Sequence, residues 1–133
     1  MKNVAVFTIT ALLLVVSGCI SSIDPVETEV LIADFSVPMR KEITSADHRN
    51  NMITYWLQGT ISEPVTVRVR YKNPTAGNAA GIFTEEIPKG TYAGNDLPSK
   101  RQSDYYGRNE ELIIEVTAPK STVGQLRIRF SVQ

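Results

Sequence analysis

The side chains of this chain that could do chemistry fall into three groups. The first is a single thiol, Cys19, which follows an apolar run and two small residues, Ser17 and Gly18. A thiol is the softest nucleophile among side chains and suits alkylation. The second is Trp56 with Arg68, Arg70 and Lys72. On one sheet face an indole beside guanidinium groups makes a flat aromatic and cationic platform, able to stack on a sugar or receive an anionic partner. The third is Tyr105 and Tyr106 with Asp104, Arg108 and Asn109, in the stretch 94–109, which has no strand pattern. Loops of that length are often functional, and these side chains supply stacking and hydrogen-bonding groups.

Other chemistries find little support. His48 is the only histidine and no second soft ligand lies near it, so it reads as a solvent-exposed loop residue and no metal site is expected. No serine sits in a nucleophile motif, and one histidine does not make a triad. Glu85-Glu86 and Glu110-Glu111 are adjacent pairs, and in a strand neighbours point to opposite faces rather than converging. No glycine-rich phosphate loop or repeat is present. The residues therefore predict no enzyme and no cofactor. With 14 basic and 14 acidic residues the chain lacks the basic surface that nucleic-acid binding needs.

The segment 1–18 begins with Lys2 as its sole charge, continues through the apolar run Val4 to Val16, and ends in small residues. It is shorter than the roughly 20 residues needed to span a bilayer, and it has the layout of a secretory signal. Val16-Ser17-Gly18-Cys19 resembles the lipobox of bacterial lipoprotein precursors. The resemblance implies a diacylglycerol thioether on Cys19, cleavage before it, and acylation of the new amino terminus by a chain such as palmitate. It places the protein in the bacterial cell envelope, anchored to membrane through lipid and facing the periplasm or the exterior. Ile20 is not the acidic residue associated in some bacteria with inner-membrane retention, so the outer membrane is favoured. Lipidation also accounts for a lone cysteine, which could form no internal disulfide.

Loss of 1–18 leaves 115 of the 133 residues, with 13 basic and 14 acidic. Residues 19–28 read as a tether and 29–133 as one domain, large enough to bury a core without disulfides. Apolar residues alternate rather than recurring every three or four positions, which predicts strands at Val30–Val37, Met52–Ile61, Val65–Tyr71, Gly81–Ile87, Thr91–Ala93, Leu112–Thr117 and Gln125–Val132. About seven short strands and no helix predict an all-β fold, a two-sheet antiparallel sandwich of immunoglobulin-like architecture. Parity suggests two hairpins. One would set Glu115 opposite Arg127 and Ile114 opposite Ile128. The other would turn at Ser62-Glu63-Pro64 and set Trp56 opposite Arg70 and Gln58 opposite Arg68. The expected function is a non-enzymatic binding module for a carbohydrate or an envelope protein. The alternative is an assembly or adhesion subunit that pairs with partners through a sheet edge. Mass spectrometry of membrane-extracted protein should find an acylated amino-terminal Cys19, and an unmodified thiol on an intact leader would contradict the assignment.

Overall fold

The computed structural model describes residues 25–44, 52–77, 81–95, 100–104 and 111–132. Strict alternation shapes the strands. In VTVRVRY, Val65, Val67, Val69 and Tyr71 are buried, while Thr66, Arg68 and Arg70 project outward. Nine strands result: β1 (Val26–Ile32), β2 (Met39–Thr44), β3 (Met52–Ile61), β4 (Val65–Tyr71), β5 (Phe83–Ile87), β6 (Gly90–Ala93), β7 (Lys100–Asp104), β8 (Glu111–Thr117) and β9 (Gly124–Val132). The described residues contain no helix. β1, β9 and β3 run side by side, with β6 and β7 sharing the far side of β3, and the second sheet has the order β2-β8-β4-β5. All pairings are antiparallel. The fold is the expected all-β sandwich, with two strands more than expected.

The inner faces meet in one apolar core that includes Tyr55, Leu57, Val67, Ile87, Leu112, Ile114, Ile128 and Phe130. Burying each such side chain stabilises by roughly 1.5–3 kcal/mol. Tyr55 lies at its centre, stacked on Phe83 with ring centroids 5.7 Å apart and tilted against Phe130 at 5.5 Å. β1 starts at Val26, so the end of the expected tether is already in the sheet, and the strand stops at Ile32 rather than Val37. Phe35, beyond it, still tucks into the core.

Neither expected hairpin forms. β3 and β4 lie in different sheets, as do β8 and β9. Glu115 is opposite Arg40 and Arg68, not Arg127, and Ile114 is opposite Lys41 and Val69, not Ile128. Trp56 is opposite Arg129 and Lys100, not Arg70, while Gln58 faces Arg127 and Ala93 rather than Arg68. Three residues, 62–64, suffice to cross between sheets about 10 Å apart, since an extended chain covers about 3.3–3.6 Å per residue. The two crossings run together. The Ser62 amide donates to the Val123 carbonyl at 3.0 Å, and the Val123 amide donates to Ser62 Oγ at 2.9 Å.

The outer face of the four-stranded sheet is bound by ion pairs. Arg70 contacts Glu115 at 2.7 Å, and Lys72 contacts Glu42 at 2.9 Å and Glu111 at 3.0 Å. Between them lies Ile113, 1% exposed although it points away from the core, with Glu42 and Arg70 as its cross-strand neighbours. Long charged side chains cover apolar surface with their stems and keep their heads in water, which explains that burial. The Arg70 guanidinium holds the Glu115 carboxyl below the usual carboxylate range.

Two outcomes are expected. At Gly59 (φ +126°) an added Cβ would lie 2.1 Å from the Gln125 carbonyl oxygen, so Gly59→Ala should cost about 3 kcal/mol in a denaturant melt, whereas Gly77→Ala, in open space, should cost little. A carboxyl whose pKa is depressed on folding stabilises above its unfolded value and loses that contribution as pH falls through the folded one. Glu115→Gln should therefore cost about 0.5–1 kcal/mol at neutral pH, a difference that vanishes in acid melts below the usual carboxylate range.

Candidate ligand-binding face

Because side chains alternate along a strand, burial of Tyr55 and Leu57 turns Trp56 outward. The same parity on β9 buries Ile128 and Phe130 and turns Arg127 and Arg129 out. The ladder then sets one row across the five-stranded sheet: Glu29 on β1, Arg129 on β9, Trp56 on β3 and Lys100 on β7. The Arg129 guanidinium carbon lies 4.5 Å from the centroid of the Trp56 ring and Lys100 Nζ lies 5.8 Å away. Each contact of this kind contributes about 0.5–1 kcal/mol near the surface. Trp56 is half-buried among these cations and takes no part in the core.

Beside the row lies a depression of about 130 Å³ lined by Trp56, Gln58, Arg127 and Arg129, with Glu29 on one side and Ala93, Gly94 and Asn95 on the other. Arg127 reaches Glu29 at 3.6 Å, a loose and exposed ion pair. Outward positions around it include Gln102, Gln125, and Thr60 and Thr91, whose hydroxyls hydrogen-bond each other at 3.0 Å; Thr54, though outward, is buried. The surface offers two guanidinium groups, one indole and several hydrogen-bonding groups, with Glu29 at the depression and Glu27 two positions away on β1. Small-molecule pockets usually enclose about 300–1,000 Å³, so this is a place for one group of a larger ligand.

Of the residues singled out in the sequence, Trp56 alone takes part in this arrangement. Arg70 is engaged with Glu115 on the outer face of the opposite sheet, and Arg68 is exposed on that same face. The platform of Trp56 with Arg68 and Arg70 is therefore divided between two sheets. Cys19, His48, Tyr105, Tyr106 and Arg108 lie outside the described residues. The stretch 94–109 is not one loop, because Lys100–Asp104 forms β7 against β3. Sequence reasoning missed Glu29, Lys100, Arg127 and Arg129. The outward direction of both arginines was readable from the alternation of LRIRF, but their neighbour was not.

One further polar group lies inside the sandwich. Tyr55 donates its hydroxyl hydrogen bond to Glu85, and Glu85 in turn pairs with Arg101 at 2.7 Å. Glu86, its sequence neighbour, is exposed on the other face, as adjacent strand residues must be. Burial, and then the Glu85 carboxylate, push the Tyr55 hydroxyl well above its ordinary pKa, so it keeps its proton and serves as a tie between sheets. Among the described residues no cluster of three or more histidine, cysteine or acidic side chains could hold a metal ion.

No protein-family model matches the chain, and no curated protein matches it in sequence. Among solved structures, the chain is similar to the crystal structure of Aeromonas hydrophila PliG, a periplasmic inhibitor of g-type lysozyme. The identity is 13% and the TM-score 0.49, over 83% of this chain and 87% of that one. It is also similar to a chain from the Bacillus endospore appendages, described as a family of disulfide-linked pili. There the identity is 12% and the TM-score 0.31, over 88% and 96% of the two chains. Likenesses at this level assign no partner.

Proposed function

We propose that the protein is a lipid-anchored envelope protein whose sandwich is a non-enzymatic binding module for a glycan, with the outer face of the five-stranded sheet as its binding surface. The observation that carries this reading is the place of Trp56. The chain's single tryptophan lies on an outer face, in contact with Arg129 and Lys100, beside a shallow polar depression. A protein partner is favoured where a patch has an apolar centre of aromatic anchors. This face has one aromatic, Trp56, with Met52, Ala93 and, at its margin, Leu31 (52% exposed) as its other apolar groups; the rest are amides, hydroxyls and charges. Such groups match the hydroxyls of a sugar chain. Cys19 supplies the anchor in this reading. Only six residues separate it from the start of β1, so the domain stays within about 25 Å of the lipid surface.

The alternative, assembly through a sheet edge, has less behind it. β1 carries Glu27 and Glu29, β2 carries Arg40, Lys41 and Glu42, and β5 carries Glu85 and Glu86. Charged edges discourage the addition of a strand.

Glycan-array and calorimetric binding by the soluble domain should fall at least tenfold in Trp56→Ala, while the melt shifts by about 1 kcal/mol or less. Tyr55→Ala, one position along, should instead cost about 3–5 kcal/mol. Undiminished binding by Trp56→Ala would remove this face from consideration. Absence of binding to any saccharide would overturn the glycan reading.

A further inference from the structure

We infer that the saccharide taken by this face is an acidic one, a sugar chain bearing carboxylate or sulfate groups; the inference rests on the proposed glycan-binding reading and names its ligand class. A neutral sugar is held chiefly by stacking on an open aromatic face. Here the Trp56 ring already has the Arg129 guanidinium over it at 4.5 Å and Lys100 Nζ at 5.8 Å. What the row presents to an incoming ligand is cationic heads held in place by the ring. The contact with the ring restrains the Arg129 fork, and a fork held in advance loses less freedom when it closes on an anion.

Arg127 is the second cation. It stands two positions from Arg129 on the same side of β9, which is about 7 Å along an antiparallel strand. Both line the depression, and the acid among the lining residues is Glu29. Glu29 contacts Arg127 at 3.6 Å, beyond a good hydrogen bond, with both side chains about half exposed. That contact contributes little and leaves most of the guanidinium's donors for a ligand. Gln58 and Asn95 beside them supply hydrogen bonds for hydroxyls. The other face of the sandwich shows the contrast. There Arg70 and Lys72 are closed onto Glu115, Glu42 and Glu111 at 2.7–3.0 Å. Arg70 and Lys72 are neutralised on that sheet, whereas Arg127 and Arg129 face outward beside one loosely held acid.

The ligand is thus anionic by the arginines, and a saccharide by the amides of Gln58 and Asn95 that line the same depression. The test is calorimetric titration of the soluble domain with four probes: carboxylated oligosaccharides (oligogalacturonate and hyaluronan fragments), their carboxyl-reduced forms, dextran sulfate and polyglutamate. Binding to a carboxylated or sulfated chain is expected, weakening steeply as ionic strength rises from about 0.01 to about 1 M and the Debye length falls from about 30 to about 3 Å. Whichever of the two binds identifies the acid. Arg127→Gln and Arg129→Gln should each weaken it about tenfold to a hundredfold, as loss of a charged hydrogen bond does. Arg68→Gln, which removes the same charge from the opposite sheet, should leave it unchanged. Equal binding of the carboxyl-reduced chains would overturn the acidic assignment while leaving glycan binding intact. Polyglutamate binding as tightly as any saccharide would overturn the saccharide assignment. Binding of no saccharide at all, neutral or acidic, would overturn both.

Discussion

The ladder between β3 and β9 is the constraint on which the rest depends. Nine consecutive pairs, from Ile53 with Val132 to Ile61 with Gly124, lock the two strands in the middle of the larger sheet. A slip of one residue would turn every side chain to the other face. A slip of β3 would put Tyr55 and Leu57 in water and Trp56 in the core, and a slip of β9 would expose Ile128 and Phe130 and bury Arg127 and Arg129. The loss of several buried side chains, at roughly 1.5–3 kcal/mol each, excludes that register. Gly59 and Gly124 lie diagonally across the same ladder, each with φ above +120° and with no room for a Cβ against the opposing carbonyl. The packing that holds the fold therefore also aims the candidate site.

The strands and their inner faces were legible because alternation determines them locally. The choice of partner was not. Leu57 and Val69 face inward whether β3 and β4 form a hairpin or lie in opposite sheets, so parity is the same for both arrangements. The difference rests in the turns at 62–64 and 118–123, whose mutual hydrogen bonds through Ser62 and Val123 join residues far apart in sequence. Parity alone turns Trp56 outward but does not exclude a shift or bulge that carries it into the core, which the ladder to β9 decides. The neighbours of Trp56 were read wrongly because they needed the sheet order. β2 and β7 escaped notice for another reason. MRKEIT and KRQSD are edge strands with charges at adjacent positions and no apolar alternation, and only pairing with β8 and β3 makes them strands.

A near-balanced total of charge conceals two different uses of it. On the four-stranded sheet, carboxylates from β2 and β8 hold Arg70 of β4 and the adjacent Lys72, and the network shields Ile113. On the five-stranded sheet the cations of β9 and β7 border an indole and amides, with Glu29 at the side. An indole stabilises a cation without neutralising it, so the charge remains available to a ligand. The Tyr55 tie to Glu85 and Arg101 belongs to the first kind, a polar cross-link that joins the sheets and pairs a carboxylate with a cation.

The central claim is that a ligand meets the protein at the Trp56 row, and the sequence contains its own reporter because Trp56 is the only tryptophan. Acrylamide quenching of its fluorescence, followed while an acidic oligosaccharide is titrated to saturation, tests the claim most directly. A ligand bound at this row should shield the indole, so that quenching falls and emission shifts in step with calorimetric occupancy. A ligand that saturates the protein while Trp56 emission and quenching stay as they were would contradict the claim.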